Sequence, residues 1–143
     1  MREILFKAKR IDNGEWVEGY YTYYPEGMDK SEDTKYCIRD TSTNPGKMYF
    51  VDPETICQYT GLTDKNGNKI WENDLIECKG HNHHFISQIE WDDYYCGFIF
   101  QDSKTSAVGL DALSSGGCYK WFEIKGNVFD NPVLVKGGGT DAE

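Results

Sequence analysis

The chain has 143 residues, 38% hydrophobic and 15% aromatic, with 24 acidic against 15 basic side chains and a formal net charge of −9. That length suits one domain or two small β modules, and it needs neither disulfide nor metal to hold a core. The negative field repels phosphate backbones and anionic membrane surfaces, which argues against nonspecific nucleic-acid binding and against a membrane role.

Ile4 to Ile11 alternates, with Ile4, Phe6 and Ala8 on one side and Leu5, Lys7 and Lys9 on the other, as a half-exposed strand does. Asp12-Asn13-Gly14 turns the chain back, and the ring-rich run from Glu15 to Tyr24 completes a hairpin. Lys7, Lys9 and Arg10 are the one dense basic run, suited to the solvated face of an edge strand. Pro25 to Thr34 is polar and acidic with little to bury, so a long loop is expected. Tyr36 to Arg39 and Met48 to Val51 are short strands separated by a cluster of turn formers. Asp52 to Tyr59, with Pro53 near its start, is a bend or a single helical turn.

Asn66-Gly67 suits a turn whose central residues need positive φ. Ile70 to Cys78 then reads as one strand, and Phe85 to Trp91 as another, with Phe85, Ser87, Ile89 and Trp91 on alternate positions. Asp92 to Tyr95 turns into a third strand at Gly97 to Phe100. Between Thr105 and Leu113 a helix of at most about two turns is expected, weakened by Gly109. Tyr119 to Lys125 alternates again, Gly126-Asn127 interrupts it, and Val133 to Val135 ends the ordered part, leaving residues 137–143 as a disordered tail.

The five cysteines, Cys37, Cys57, Cys78, Cys96 and Cys118, are scattered and never form a close pair, which fits a reducing cytoplasm. The charged start Met1-Arg2-Glu3 and the lack of a long apolar run predict a soluble, unsecreted chain.

Cys78, His81, His83 and His84 bring soft sulfur and imidazole together, the donors zinc prefers. A structural zinc site draws a second ligand pair from elsewhere, and none is marked, so a solvated loop between strands is the simpler reading and no metal or cofactor is expected. No glycine-rich phosphate cradle and no nucleophile elbow occur, and no histidine is placed to activate Ser103, Ser106, Ser114 or Ser115. The chain is therefore expected not to be an enzyme. Its rings are the stronger signal, because Tyr20, Tyr21, Tyr23, Tyr24, Tyr94, Tyr95, Tyr119 and Trp121 exceed what a small core hides.

Several motifs occur in order: Arg2-Glu3-Ile4-Leu5-Phe6-Lys7-Ala8-Lys9-Arg10, Asn13-Gly14-Glu15-Trp16-Val17-Glu18-Gly19, Val51-Asp52-Pro53-Glu54-Thr55, Tyr59-Thr60-Gly61-Leu62, Asp64-Lys65-Asn66-Gly67, and finally Phe122 to Pro132. Together they resemble the YopX-like family of phage and prophage proteins. The resemblance implies an all-β chain with little helix: an N-terminal β-hairpin and sheet region over residues 1–58, and an SH3-like small barrel over residues 59–136. It carries over no catalytic residue. Asn73-Asp74 stands where such proteins often have Gly-Asp, and Asn also tolerates positive φ.

The function expected on these grounds is a phage- or prophage-encoded, non-catalytic interaction module in the host bacterial cytoplasm. It would bind a host or phage protein or a further copy of itself, with Trp91, Asp92, Asp93, Tyr94 and Tyr95 as contact residues. The alternatives are a metal-binding protein or metal-dependent enzyme using the Cys78, His81, His83 and His84 cluster, and nucleic-acid binding or mimicry.

Overall fold

The alternating, ring-rich segments fold as strands in a computed structural model that describes residues 3–42, 46–80, 83–102, 106–113 and 122–138. The protein is all-β, with several antiparallel sheets and one short α-helix among the described residues. Contacts group it into two units, residues 1–61 and 62–143.

In the first unit, β1 (Phe6–Lys9), β2 (Trp16–Tyr23), β3 (Tyr36–Asp40), β4 (Met48–Phe50) and β5 (Cys57–Thr63) lie in the order β4-β3-β2-β1-β5. The opening hairpin forms as expected: Phe6 to Lys9 pair with Gly19 to Trp16, and Asn13 Oδ1 accepts the Glu15 N–H at 2.9 Å to hold the turn. Strand alternation sends Ala8, Val17, Ile38 and Val51 into one core, with Phe6, Tyr21, Tyr36, Tyr49 and Ile56 packed around them. Burying each such aliphatic side chain contributes roughly 1.5–3 kcal/mol, so this small cluster needs its surrounding rings. Tyr21 stacks on Tyr36 at 6.5 Å, which accounts for part of the aromatic excess. Gly19 lies where β2 and β3 approach closely, and a Cβ there would stand 1.8 Å from the Arg39 carbonyl oxygen.

Two expectations change in this unit. Ile4 is exposed and Leu5 buried, the reverse of the alternation, because the strand starts only at Phe6 and Leu5 instead accepts the Tyr59 N–H at 2.9 Å. The segment from Pro25 to Thr34 is not a featureless loop. Ser31 caps a 3₁₀ turn, Glu32–Thr34, and the hydroxyl of buried Thr34 has Asp29 Oδ1 and the Ser31 carbonyl, each at 2.8 Å, as acceptors for its one proton. Short polar side chains supply the local order that apolar residues there could not. Asp52 and Pro53 do begin a single 3₁₀ turn, Pro53–Thr55, with Asp52 accepting the Glu54 N–H.

β5 runs past Gly61 to Thr63, and the Asp64 to Asn68 turn follows it. Asp64 Oδ1 accepts the N–H groups of Asn66 and Asn68, and Gly67 takes φ 84°. β6 (Lys69–Trp71) then pairs with β5. The remaining strands are β7 (Asp74–Gly80), β8 (His83–Gln88), β9 (Glu90–Asp92), β10 (Gly97–Asp102), β11 (Ser106–Gly109) and β12 (Phe122–Asn127). They form two three-stranded sheets, β12-β7-β8 and β11-β10-β9. The barrel expected over residues 59–136 is thus not closed among the described residues. Ile70, Ile76, Cys78, Phe85, Ile89, Phe100, Leu110, Leu113 and Phe122 make this unit's core.

The single strands expected at Ile70 to Cys78 and at Phe85 to Trp91 each split in two. The first breaks at Asn73, whose φ is 73°. The second breaks at Ile89, where the chain leaves one sheet for the other. These breaks meet: Asn73 donates its N–H to Ile89 O at 2.7 Å, and Ile89 donates to Asp74 O at 2.9 Å. Asn73 Oδ1 accepts from Gln88 at 2.9 Å, and its carbonyl accepts the Val128 N–H at 3.1 Å. Buried Asp74 in turn accepts the Trp71 N–H at 2.8 Å. Replacing Asn73 by Ala should cost about 2 kcal/mol, from the left-handed backbone and the lost Gln88 bond, and by Gly only about 1 kcal/mol, from the bond alone. Equal urea midpoints for the two variants would refute this division.

Two further differences concern helices. Ser106 to Gly109 is strand β11, and only Leu110–Leu113 coils, as a 3₁₀ turn. Ala107 and Val108 pair with Gln101 and Phe100, so sheet pairing overrides the weak helical pattern. At the C-terminus Pro132–Gly138 forms α1, a helix not expected from the sequence, with Pro at its first position. The expected tail therefore overlaps this helix at residues 137 and 138, and its remainder lies outside the described residues.

Candidate functional site

β9 and β10 are a hairpin paired Glu90 to Ile99, Trp91 to Phe98 and Asp92 to Gly97. Its tip carries the five residues singled out in the sequence. Asp92 Oδ1 accepts the N–H groups of Tyr94 at 2.8 Å and Tyr95 at 3.1 Å, which ties down the turn. Asp93 Oδ1 accepts the indole N–H of Trp91 at 2.8 Å. The Trp91 ring also meets Phe98 edge-on at 5.3 Å, and Phe98 packs on the second unit's core. Cys96 closes the tip at φ 53°.

This tip stays in solvent. Tyr94 is 86% exposed, Tyr95 60% and Trp91 48%. Tyr94 and Tyr95 meet edge-on at 5.1 Å. Three large rings held by a braced backbone lose little entropy when they are covered, which is the property of a contact surface. The other rings named in the sequence divide: Tyr21 packs inward, Tyr20 and Tyr23 are exposed, and Tyr119 and Trp121 lie outside the described residues.

Two members of the cysteine and histidine cluster, Cys78 and His84, are separated. Cys78 is fully buried and pairs with Phe85, whereas His84 pairs with the next residue, Lys79. Successive strand residues face opposite sides, so Cys78 enters the core while His84 stands on the outer face, hydrogen-bonded to Glu77. These two cannot bind one ion. His81 lies outside the described residues, as does the side chain of His83. Among the described residues no group of three metal-binding side chains forms. Of the segment read as a loop, Cys78 to Gly80 continue β7 and His83 and His84 begin β8, while residues 81 and 82 lie outside the described residues.

The outer face carries a charge cluster that the sequence did not suggest, since its members come from three strands. Glu77 meets His84, and Lys125 Nζ lies 3.4 Å from Glu77 and 3.3 Å from Glu123. The hydrogen bond with His84, opposed by partial burial and helped by Lys125, holds the Glu77 carboxyl below the usual glutamate range. Its stabilising effect is complete above the ordinary value of about 4.3 and is lost as pH falls through the lower folded value. Glu77→Gln should therefore cost about 1 kcal/mol near neutrality and progressively less as pH falls below the ordinary glutamate range. Denaturant melts of both proteins across this range check the sign; a gap independent of pH would refute it.

A cleft of about 420 Å³ opens in the first unit beside Arg10, Glu15, Trp16, Glu18, Asp40 and Tyr49. Arg10 and Asp40 are engaged locally. Arg10 lies over the Tyr49 ring at 4.1 Å and pairs with Asp12, and Asp40 Oδ1 accepts from both the N–H and the hydroxyl of Ser42 at 2.7 Å. Lys7 and Lys9 sit over Trp16 at 4.6 and 5.5 Å. The basic run thus packs on rings of its own sheet.

Comparison with known proteins places this architecture. The crystal structure of protein EF1440 from Enterococcus faecalis matches over 94% of this chain and 99% of that one, with a TM-score of 0.52 at 22% identity. At that identity the likeness concerns the fold alone. A search of curated proteins gave no match. A model of the family described as YopX protein matches residues 5–136, nearly the whole chain and all the motifs named above from Leu5 onward, so this protein belongs to the YopX family.

Proposed function

We propose that this is a non-catalytic protein-binding module, encoded by a phage or prophage and acting in the host bacterial cytoplasm, that holds its partner on the β9–β10 tip. The observation that supports this most is the exposure of Trp91, Tyr94 and Tyr95 on a turn braced by Asp92 and Asp93. Rings of this kind supply most of the energy at protein interfaces. Free thiols at Cys37, Cys57 and Cys78 agree with a reducing compartment.

A benzophenone amino acid placed at position 94 tests the reading. Irradiation in host cells should give one discrete adduct from position 94 and none from exposed position 54, and the adduct's mass separates a second copy from another protein. No adduct at 94, or the same adducts from both positions, would sink it.

A further inference from the structure

We infer that the segment seated on the β9–β10 tip is basic and bears arginine; this rests on the protein-binding reading above. Asp92 and Asp93 hold the tip that bears the three exposed rings, and Glu90 precedes them in β9. No lysine or arginine among the described residues pairs with any of the three carboxylates. Asp92 and Asp93 each commit Oδ1 to bracing the tip. Their second oxygens have no partner among the described residues.

Rings and unpaired carboxylates together select a cation. The ring face attracts positive charge, and a carboxylate accepts a charge-assisted hydrogen bond. Arginine satisfies both at once, because its planar guanidinium stacks on a ring while its fork reaches a carboxylate; lysine is a point charge with no flat face. The chain itself contains such an arrangement, with Arg10 lying 4.1 Å over Tyr49 while paired with Asp12. An acidic peptide or a nucleic acid would meet like charge at the tip and across a chain of net charge −9. A wholly apolar segment would leave the carboxylates desolvated without a partner.

Calorimetric titration of the full chain with blocked penta-arginine, penta-lysine and penta-glutamate tests this. Penta-arginine should bind tightest and penta-glutamate not at all. A Trp91→Ala, Tyr94→Ala double variant should weaken penta-arginine by about tenfold, and Asp93→Asn by several-fold. Glu26→Gln makes the same change in net charge at an exposed site far along the chain and should leave binding unaltered. Unchanged thermal melts establish that the variants are folded. Equal losses at Asp93 and Glu26, or no binding of penta-arginine, would overturn the inference. If position 94 cross-links a protein that penta-arginine does not displace, the basic segment is refuted and the protein-binding reading stands; if no cross-link forms, both fall.

Discussion

Phe100→Ala should lower the stability of the second unit by about 4 kcal/mol, among the largest effects a single substitution in this chain can have. Phe100 is fully buried at the centre of β10 and lies 6.3 Å from Phe85, nearly parallel to it. Phe85 and Phe100 come from different three-stranded sheets, so the ring joins the two. Removing it leaves a void bounded by residues from both, and strands paired to their own neighbours cannot collapse into it freely. Phe100→Leu refills much of the space and should cost about 1.5 kcal/mol. Urea unfolding with hydrogen exchange on the amides of β7 and β10 measures both, and an alanine variant within 1 kcal/mol of the parent, a value the cavity term excludes, would show that this ring is not central.

Gly19→Ala should destabilise the first unit by about 3 kcal/mol or more, although it adds one methyl group. The obstacle is backbone: the new Cβ would lie 1.8 Å from the Arg39 carbonyl oxygen. Only separation of β2 from β3 relieves that, and these strands pair continuously from Gly19 to Tyr23. Gly97→Ala is the matched control. It too lies in a strand, but its nearest neighbour would be the Tyr95 carbonyl at 3.8 Å, an ordinary contact. It should be neutral or stabilising by about 0.5 kcal/mol through the stiffer unfolded chain. Exchange rates of the β2 and β3 amides locate the loss, and equal behaviour of the two variants would refute the steric account.

The first hairpin was legible because its apolar period, its turn residues and its rings agree from Phe6 to Tyr23. The tip at Trp91 to Tyr95 was legible because its residues are contiguous and too large for a turn to hide. What escaped depends on distant partners. Asn73 breaks a strand because Ile89, Gln88 and Val128 bond to it there, and no local pattern announces them. The facing of Cys78 and His84 follows from the register of β7 on β8, which the polar Lys79 to His84 stretch disguised as a loop. Ser106 to Gly109 carries helical spacing but finds β10 as its neighbour. For α1 a signal was present, in Pro132 directly after Asp130-Asn131.

Asn73 also bears on the order of folding events. Its N–H and side chain reach Gln88-Ile89 and its carbonyl reaches Val128, two segments distant in sequence, so these bonds can form only after the end of β8 and the end of β12 have arrived. A junction completed after the rate-limiting step acts on escape from the native state and not on its formation. In the chevron of Asn73→Ala the loss should therefore appear in the unfolding limb, with the folding limb unchanged, and a slower folding limb would place the junction in the nucleus instead. Asn73 would then govern how long the second unit persists once made, a lifetime and not only a depth of stability.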